Sequence, residues 1–276
     1  MQYKLLAVDV DGTLLRRDGV VDPQDSAAIA RLRAQGVPVT IVTGRLYSGT
    51  RPVAASLGLG GPIACVDGSH IVDVGDDRAL YASPITGTDA LLLRDVLARH
   101  HIARFLFAED TIIHDAEGEP FAGYVRTWSP NVDVVARVTD HPSWEHERGV
   151  MAVVAVGAEH DVLGAAAELS ACLDRSTRVI TFPVGRGKGY AMVVRAAGPT
   201  KGTAITWLAA HHGCTTEEVV VVGDWINDVP MFQTAGRSFV MGQAPDDVKA
   251  TATDHLEADS FAGGGIAEAI RRAWGL

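Results

Sequence analysis

The stretch LLAVDVDGT, residues 5–13, decides the fold expected of this chain. Its apolar half predicts a buried strand, and its second half places two acids and a glycine in the loop that follows. Gly12 permits a tight turn there, and Thr13 can cap it. Two carboxylates at the end of a buried strand are costly without a cation. Asp9 and Asp11 therefore predict a divalent metal site, and hard oxygen ligands suit Mg²⁺.

Similar apolar runs, separated by helical patterns, recur towards both ends of the chain. After the first strand candidate at residues 4–10 come a helix pattern at 25–35, which ends before Gly36, and strand candidates at 37–42 and 62–66. Such β-α-β alternation predicts a parallel sheet. Nearer the C-terminus the predicted elements are a helix at 202–212, strands at 219–222 and 238–241, and a helix at 265–274.

The middle of the chain, about residues 80–194, has a different pattern. Its predicted elements are helices at 89–100 and 161–173, extended segments at 104–107, 111–114 and 150–156, and a hairpin around 185–189. This mixture indicates an α+β domain inserted into the parallel-sheet domain. We therefore expect an α/β fold in which a Rossmann-like parallel-sheet core, residues 1–82 and 195–276, carries an inserted α+β domain, residues 83–194.

Composition and charge restrict the class of protein. Hydrophobic residues make up 47% of the chain and charged residues 21%, which predicts a globular protein. The formal charge of −10 and the lack of a Lys/Arg-rich run argue against a nucleic acid partner. No apolar run reaches the roughly 18 residues of a membrane span, so we expect neither a signal peptide nor a membrane partner. The widely spaced Cys65, Cys172 and Cys214 suit reduced thiols in a cytoplasmic protein.

A second polar motif follows the second strand candidate. Thr43, Gly44 and Arg45 offer a hydroxyl, an unobstructed backbone N–H and a guanidinium, all donors that suit phosphate oxygens. Parallel strands end at one edge of a sheet, where ligands bind, so these groups should lie beside Asp9 and Asp11. A Thr-Gly turn is common by itself, and its position at a strand end is what makes it a candidate phosphate site.

A third polar motif, GDWIND at residues 223–228, follows the valine strand. Asp224 and Asp228 raise the number of acids at strand ends to four, and these like charges would repel one another unless a cation lay among them. Asp228 alone could also be a solvated acid. Lys201, directly before a predicted helix, could reach a phosphate and offset the acids, whereas Lys188 lies at a glycine-rich hairpin tip without a P-loop pattern.

Taken together and in this order, the motifs resemble those of the haloacid dehalogenase (HAD) superfamily. Within it they are similar to the Cof-like branch, whose large type IIB cap lies between the second and third motifs. The matching segments are DVDGT at 9–13 for motif one, TGR at 43–45 for motif two, Lys201 for motif three and GDWIND at 223–228 for motif four. The resemblance implies the HAD fold, with the inserted domain as the cap.

Two weaker similarities and three departures accompany these motifs. VDGS at 66–69 and MGQA at 241–244 resemble the branch's Asn-Gly-Ala loop and Met-Gly-Asn-Ala tail. Asp67 and Gln243 stand where the branch commonly has asparagine, and Trp225 stands where it commonly has glycine. None of the departures removes a core catalytic group, and Trp225 bears on substrate range rather than on mechanism.

The resemblance implies a Mg²⁺-dependent phosphatase that works in two steps. Asp9 would attack phosphorus to form an aspartyl-phosphate, and Asp11 would serve as the acid and then the base. The implied metal ligands are Asp9, Asp11 through its backbone carbonyl, and Asp224. Asp228 or Asn227 would help, either directly or through water. The implied phosphate-binding residues are Thr43, Gly44, Lys201 and Asn227. Arg45 is a candidate for contact with the rest of the substrate.

The expected substrates are small phosphate monoesters, such as sugar phosphates or related metabolites. The protein itself is expected to be a monomer or a weak homodimer. Two alternatives remain open. A sugar phosphomutase of the same superfamily would transfer the phosphoryl group to another sugar hydroxyl, and a non-catalytic protein would bind phosphometabolites without turnover. The intact set of Asp9, Asp11, Lys201 and Asp224 argues against the non-catalytic alternative.

Overall fold

The computed structural model describes residues 3–173, 175–184 and 189–276. The chain forms two compact units. The first unit comprises Met1–Gly44, Thr50–Tyr81 and Pro199–Leu276, and the second comprises Arg45–Gly49 and Ala82–Gly198.

Strands and helices alternate through most of the chain. The strands are β1 (Leu5–Val8), β2 (Val39–Ile41), β3 (Pro62–Cys65), β4 (His70–Asp73), β5 (Arg78–Ala82), β6 (Ile102–Ala108), β7 (Thr111–His114), β8 (Val132–Val134), β9 (Ala152–Gly157), β10 (Thr177–Val184), β11 (Gly189–Ala196), β12 (Val219–Gly223), β13 (Arg237–Val240) and β14 (Asp254–His255). The helices are α1 (Pro23–Ala34), α2 (Tyr47–Ser56), α3 (Gly87–Ala98), α4 (Ala122–Val125), α5 (Glu159–Leu173), α6 (Lys201–His211), α7 (Val229–Thr234), α8 (Asp246–Lys249) and α9 (Gly265–Trp274).

A parallel sheet with the order β14-β13-β12-β1-β2 forms the centre of the first unit. This confirms the predicted parallel-sheet core. Every residue of β1 and β12 is buried, as expected for strands with both faces covered. In the register between them, Val8 lies opposite Val222. The two strands therefore end side by side, and the loops that leave them start at the same edge of the sheet.

The third predicted strand does not belong to this parallel ladder. β3 pairs antiparallel with β4 in a three-stranded sheet of order β3-β4-β5, and a single parallel bridge joins Val42 to Ala64. An apolar run reads the same in either orientation, so the sequence pattern could not distinguish them. α2 was also not predicted, because Gly49 and Pro52 interrupt its helical pattern.

Helices α1 and α9 of the first unit are joined by a buried carboxylate. Asp25, which is 1% exposed, accepts hydrogen bonds from the Gly264 and Ala267 backbone N–H groups at 3.1 and 2.7 Å, at the start of α9. A carboxylate at this end satisfies donors that a helix leaves unpaired and complements its dipole. Burial nevertheless raises the pKa of Asp25 to about 6, despite these backbone hydrogen bonds.

The second unit is built around a sheet of order β10-β11-β9-β6-β7-β8. Its neighbouring strands are antiparallel except β7 and β8, which run parallel. Buried residues of α3 and α5 share one apolar cluster with the sheet, including Leu93, Leu97, Leu169, Leu106 and Val153. The predicted α+β character is confirmed. β10 and β11 form the predicted hairpin, although its tip at 185–188, with Lys188, lies outside the described residues.

Over the part of the chain that the structure describes, none of the helices combines the length and the apolar character that crossing a membrane requires.

Candidate active site

Three acids meet at the carboxyl ends of β1 and β12. Asp9 directly follows β1 and Asp224 directly follows β12, so the parallel pairing brings both to one edge of the sheet. Asp228 comes one 3-10 turn later, and its Oδ2 accepts hydrogen bonds from the backbone N–H of Asp224 at 2.8 Å and of Trp225 at 3.0 Å. Gly223 leaves space for this fold-back, since a Cβ there would lie 2.5 Å from the Asp228 carboxyl.

Lys201 is the cation of this acid cluster. It is the first residue of α6 and is 1% exposed, and its Nζ donates to Asp9 Oδ1 and to Asp228 Oδ1, each at 2.6 Å. Asp67 Oδ1 lies 4.0 Å away. Thr200 caps the helix by accepting a hydrogen bond from the Thr203 N–H at 3.1 Å. The helix start thus holds the lysine at the sheet edge.

The charges in the cluster shift the pKa values of their neighbours. Burial raises the pKa of Asp9 well above its ordinary value, and the charges of Asp228 and Asp224 add to this, while Lys201 opposes it. Burial, and then the charge of Asp228, raises the pKa of Asp224 to about 7. Burial lowers the pKa of Lys201, but the charges of Asp228, Asp9 and Asp67 outweigh it and raise the value overall. Three buried acids, Asp9, Asp67 and Asp228, and the half-buried Asp224 thus surround the buried Lys201, which leaves negative charge for a metal ion to neutralise.

The arrangement of the acids fits a divalent metal. Asp9, Asp224 and Asp228 each offer a carboxylate oxygen within 4.8 Å of the others, and such hard oxygen donors suit Mg²⁺. These three are among the predicted metal ligands. The Asp11 side chain is exposed and is not part of this group among the described residues, although its charge also helps to raise the pKa of Asp224. Its role through the backbone carbonyl stays a prediction.

The predicted phosphate-binding residues lie at the neighbouring strand end. The Thr43 N–H donates to the Ala64 carbonyl at 2.9 Å, and the Thr43 carbonyl accepts from the Asp67 N–H at 2.8 Å. A Cβ on Gly44 would lie 3.4 Å from Asp67 Oδ1 and 3.8 Å from Asn227 Nδ2. The fold therefore brings Thr43, Gly44 and Asn227 to the edge of the sheet that carries the acids.

Arg45 is the predicted site residue that does not belong to the first unit. It belongs to the second unit, where its Nη1 donates to the Gly49 carbonyl at 3.4 Å. The same segment continues with Ser48, whose N–H and hydroxyl donate to Asp110 Oδ1 at 2.9 and 3.1 Å. Contact between Arg45 and a substrate stays a prediction.

Two residues that the site contains were not among the predicted site residues. Asp67 accepts a hydrogen bond from Asn227 Nδ2 at 2.8 Å and is held in the left-handed region, with φ 49°. Gln243 contacts the Asp224 carboxylate, with Nε2 3.1 Å from Oδ2. Both follow apolar strands, β3 and β13, as Asp9 follows β1. The strand-end rule that selected Asp9 could have found them too.

Comparison with known proteins gives consistent results at the level of family and fold. The family model described as haloacid dehalogenase-like hydrolase matches residues 6–270. Pyridoxal phosphate phosphatase YbhA of Escherichia coli is 29% identical over 261 residues, which cover 91% of this chain and 92% of that protein. 5-Amino-6-(5-phospho-D-ribitylamino)uracil phosphatase YcsE of Bacillus subtilis is 27% identical over 277 residues, covering 98% and 96%. A haloacid dehalogenase-like hydrolase from Bacteroides thetaiotaomicron has a similar fold, with a TM-score of 0.84, 23% identity and coverage of 99% and 100%.

Proposed function

Because the chain belongs to the haloacid dehalogenase-like hydrolases, the family that its motifs predicted, we propose that it is a Mg²⁺-dependent phosphatase of small phosphate monoesters. Membership confirms that it is an enzyme of the hydrolase class. The observation that carries the proposal is the buried Asp9, held by Lys201 at 2.6 Å and grouped with Asp224 and Asp228. A carboxylate in this setting is a candidate nucleophile.

The first step needs Asp9 as an anion. Burial favours its protonated form, whereas the ammonium of Lys201 favours the anion. Mg²⁺ held by Asp9, Asp224 and Asp228 would supply further positive charge, which favours the anion and screens it from the phosphate oxygens. In this step the Asp9 carboxylate attacks phosphorus, the P–O bond to the leaving group breaks, and an aspartyl-phosphate forms.

Asp11 fits the proton transfers of both steps. It lies two residues after Asp9 and directly before the turn at Gly12, which has φ +79°, and its side chain is exposed. In the first step it gives its proton to the leaving alkoxide. In the second step it takes a proton from water, whose oxygen attacks phosphorus and releases phosphate and the Asp9 carboxylate.

The phosphate would lie against the donors of the neighbouring strand end. We propose that Thr43, the Gly44 N–H, Lys201 and Asn227 hold its non-bridging oxygens as charge develops. The hydrogen bond from Asn227 Nδ2 to Asp67 Oδ1, at 2.8 Å, would orient that amide before substrate arrives. Residues 83–194 are proposed as the cap domain, and Arg45 as a contact to the leaving group.

For the substrate, we propose sugar phosphates or related small metabolites. The names of two relatives extend the candidates to pyridoxal phosphate and a ribitylaminouracil phosphate. A panel of hexose phosphates, pyridoxal 5′-phosphate and nucleotides, with release of inorganic phosphate as the readout, tests the substrate class. The same assay separates a phosphatase from a phosphomutase, which would convert hexose 1-phosphate without releasing phosphate.

The nucleophile is tested by Asp9→Asn with p-nitrophenyl phosphate as the substrate. We expect kcat to fall by roughly 10³-fold or more, because the amide cannot form the aspartyl-phosphate. Asp77→Asn is the matched control, because Asp77 is an exposed acid paired with Arg51. This variant should hydrolyse the substrate at the native rate. EDTA should abolish the native activity and added Mg²⁺ restore it. An Asp9→Asn variant with near-native turnover would exclude this mechanism.

A further inference from the structure

Gln243 joins three segments of the first unit through one amide. Its Nε2 donates to the Gly12 carbonyl at 2.6 Å and to Asp224 Oδ2 at 3.1 Å. Its Oε1 accepts from the Ser260 backbone N–H at 3.0 Å. The side chain therefore connects the loop after β1, the loop after β12 and the segment around Ser260.

The backbone that carries Gln243 is itself held in place. The Met241 N–H donates to the Gly223 carbonyl at 3.0 Å, at the end of β12, and the Gly242 N–H donates to the Ala258 carbonyl at 2.9 Å. Gly242 lies so close to this segment that a Cβ would be 3.1 Å from the Ala258 carbonyl oxygen. The side chain of Gln243 therefore extends from a backbone that these contacts hold in place.

The two groups that Nε2 contacts lie close together. Gly12 lies against Asp224, since a Cβ on Gly12 would overlap the Asp224 carboxylate. The Thr13 hydroxyl contacts the other oxygen, Oδ1, but only at 3.5 Å. Gln243 thus provides the shorter hydrogen bond to Asp224 and at the same time fixes the loop that carries Asp9 and Asp11.

We propose that Gln243 is a positioning residue that holds Asp224 and the loop after β1 in the arrangement that binds Mg²⁺. The inference rests on the proposed function, because it assigns Asp224 to the metal. A group that donates to one oxygen of a ligating carboxylate orients it, and loss of such partners typically costs about 10- to 100-fold in metal affinity. Asparagine would shorten the side chain by one carbon–carbon bond, about 1.5 Å, so from this backbone it could not keep both donor contacts.

The test measures Mg²⁺ binding itself, by isothermal titration calorimetry without substrate. Gln243→Met keeps the length and removes the amide, and we expect at least a 10-fold weaker Kd. Gln243→Asn keeps the amide and should fall between the native protein and the methionine variant. Gln233→Met, at an exposed position on α7, is the matched control and should bind Mg²⁺ as the native protein does.

Thermal unfolding and turnover separate the possible outcomes. If Gln243→Met lowers Tm but binds Mg²⁺ with native affinity, the residue is only structural and the proposal is overturned. In the supporting outcome, a raised Mg²⁺ concentration restores kcat of the variant towards the native value. Native protein that binds Mg²⁺ but hydrolyses no phosphate ester would refute the proposed function, while the calorimetric comparison would still decide the role of Gln243.

Discussion

Replacing Lys201 with methionine tests the electrostatics on which the site depends. Methionine fills a similar volume but leaves the buried acids without their cation. In the native protein the ammonium lies 2.6 Å from both Asp9 and Asp228, which are 5% and 0% exposed. Removing one partner of a buried ion pair typically costs about 3–5 kcal/mol, because the remaining charge stays desolvated. We expect a loss in this range at pH 7 without Mg²⁺, a large fraction of the roughly 5–15 kcal/mol that stabilises a typical domain.

The assay is urea unfolding with Lys4→Met as the matched control. Lys4 also lies 2.6 Å from an acid, Glu218, but its side chain is 55% exposed. Exposed ion pairs contribute little to stability, because water and salt screen them, so the control should unfold at nearly the native urea concentration. The two variants thus separate the effect of burial from the effect of contact distance.

Two further measurements identify the cause of the loss in Lys201→Met. Lowering the pH towards 5 should restore part of its stability, because the folded variant then takes up protons on acids whose pKa values are raised above their unfolded values. Mg²⁺ should stabilise the variant more than the native protein, because it replaces the missing cation. A Lys201→Met variant as stable as the Lys4→Met control, or one that neither protons nor Mg²⁺ stabilise, would refute the reasoning.

Three other predictions follow from the structure. In the folded protein the pKa of Asp25 is about 6, against an ordinary value of 3.8, so the folded state binds the proton more tightly than the unfolded state. The free energy of unfolding should therefore fall by up to ~3 kcal/mol as the pH rises from about 4 to about 6. Asp25→Asn should lack this slope in urea unfolding, and an unchanged slope would contradict the assignment. Gly12→Ala should weaken Mg²⁺ binding by roughly 10-fold, because its Cβ would displace the Asp224 carboxylate, whereas Gly19→Ala, with a similar φ but open space, should bind normally. Trp225 is 48% exposed beside Asp224, where its indole could stack on the aromatic ring of pyridoxal 5′-phosphate but not on a hexose. Trp225→Gly should therefore lower kcat/KM for pyridoxal 5′-phosphate about 2- to 10-fold more than for a hexose phosphate, and equal losses would exclude this stacking.

Much of the secondary structure was predictable, because the residues that a strand or helix buries form a local apolar pattern in the sequence. The bounds of β7 and α9 agree with the predicted 111–114 and 265–274, and the valine strand extends the predicted 219–222 by one residue. Apolar runs and helical periods come from the faces that an element buries, so they can be read without knowing the partner element. An inserted α+β segment was predictable for the same reason, because the alternation of strands and helices changes in the middle of the chain.

Pairing and turn geometry were less predictable. β3 has the apolar run of a parallel strand but pairs antiparallel with β4, through a turn in which Val66, Asp67 and Gly68 all have positive φ. A valine rarely adopts this conformation, and no local preference predicts it. Gly68 lies against the Thr200 carbonyl, where a Cβ would be 2.6 Å from the oxygen, so this turn depends on a contact 132 positions away in sequence.

The sequence by itself determined the family, the parallel-sheet core and the chemical types of the site residues, because strand-end acids and a helix-start lysine are local features. Only the tertiary structure decided how these charges pair. It placed Lys201 between Asp9 and Asp228, kept the exposed Asp11 side chain outside that group, and added Gln243 as a partner of Asp224. Ion pairs and hydrogen bonds form only where atoms of residues far apart in the chain come within about 3 Å of each other. Such distances follow from strand order and register, which the sequence pattern does not contain.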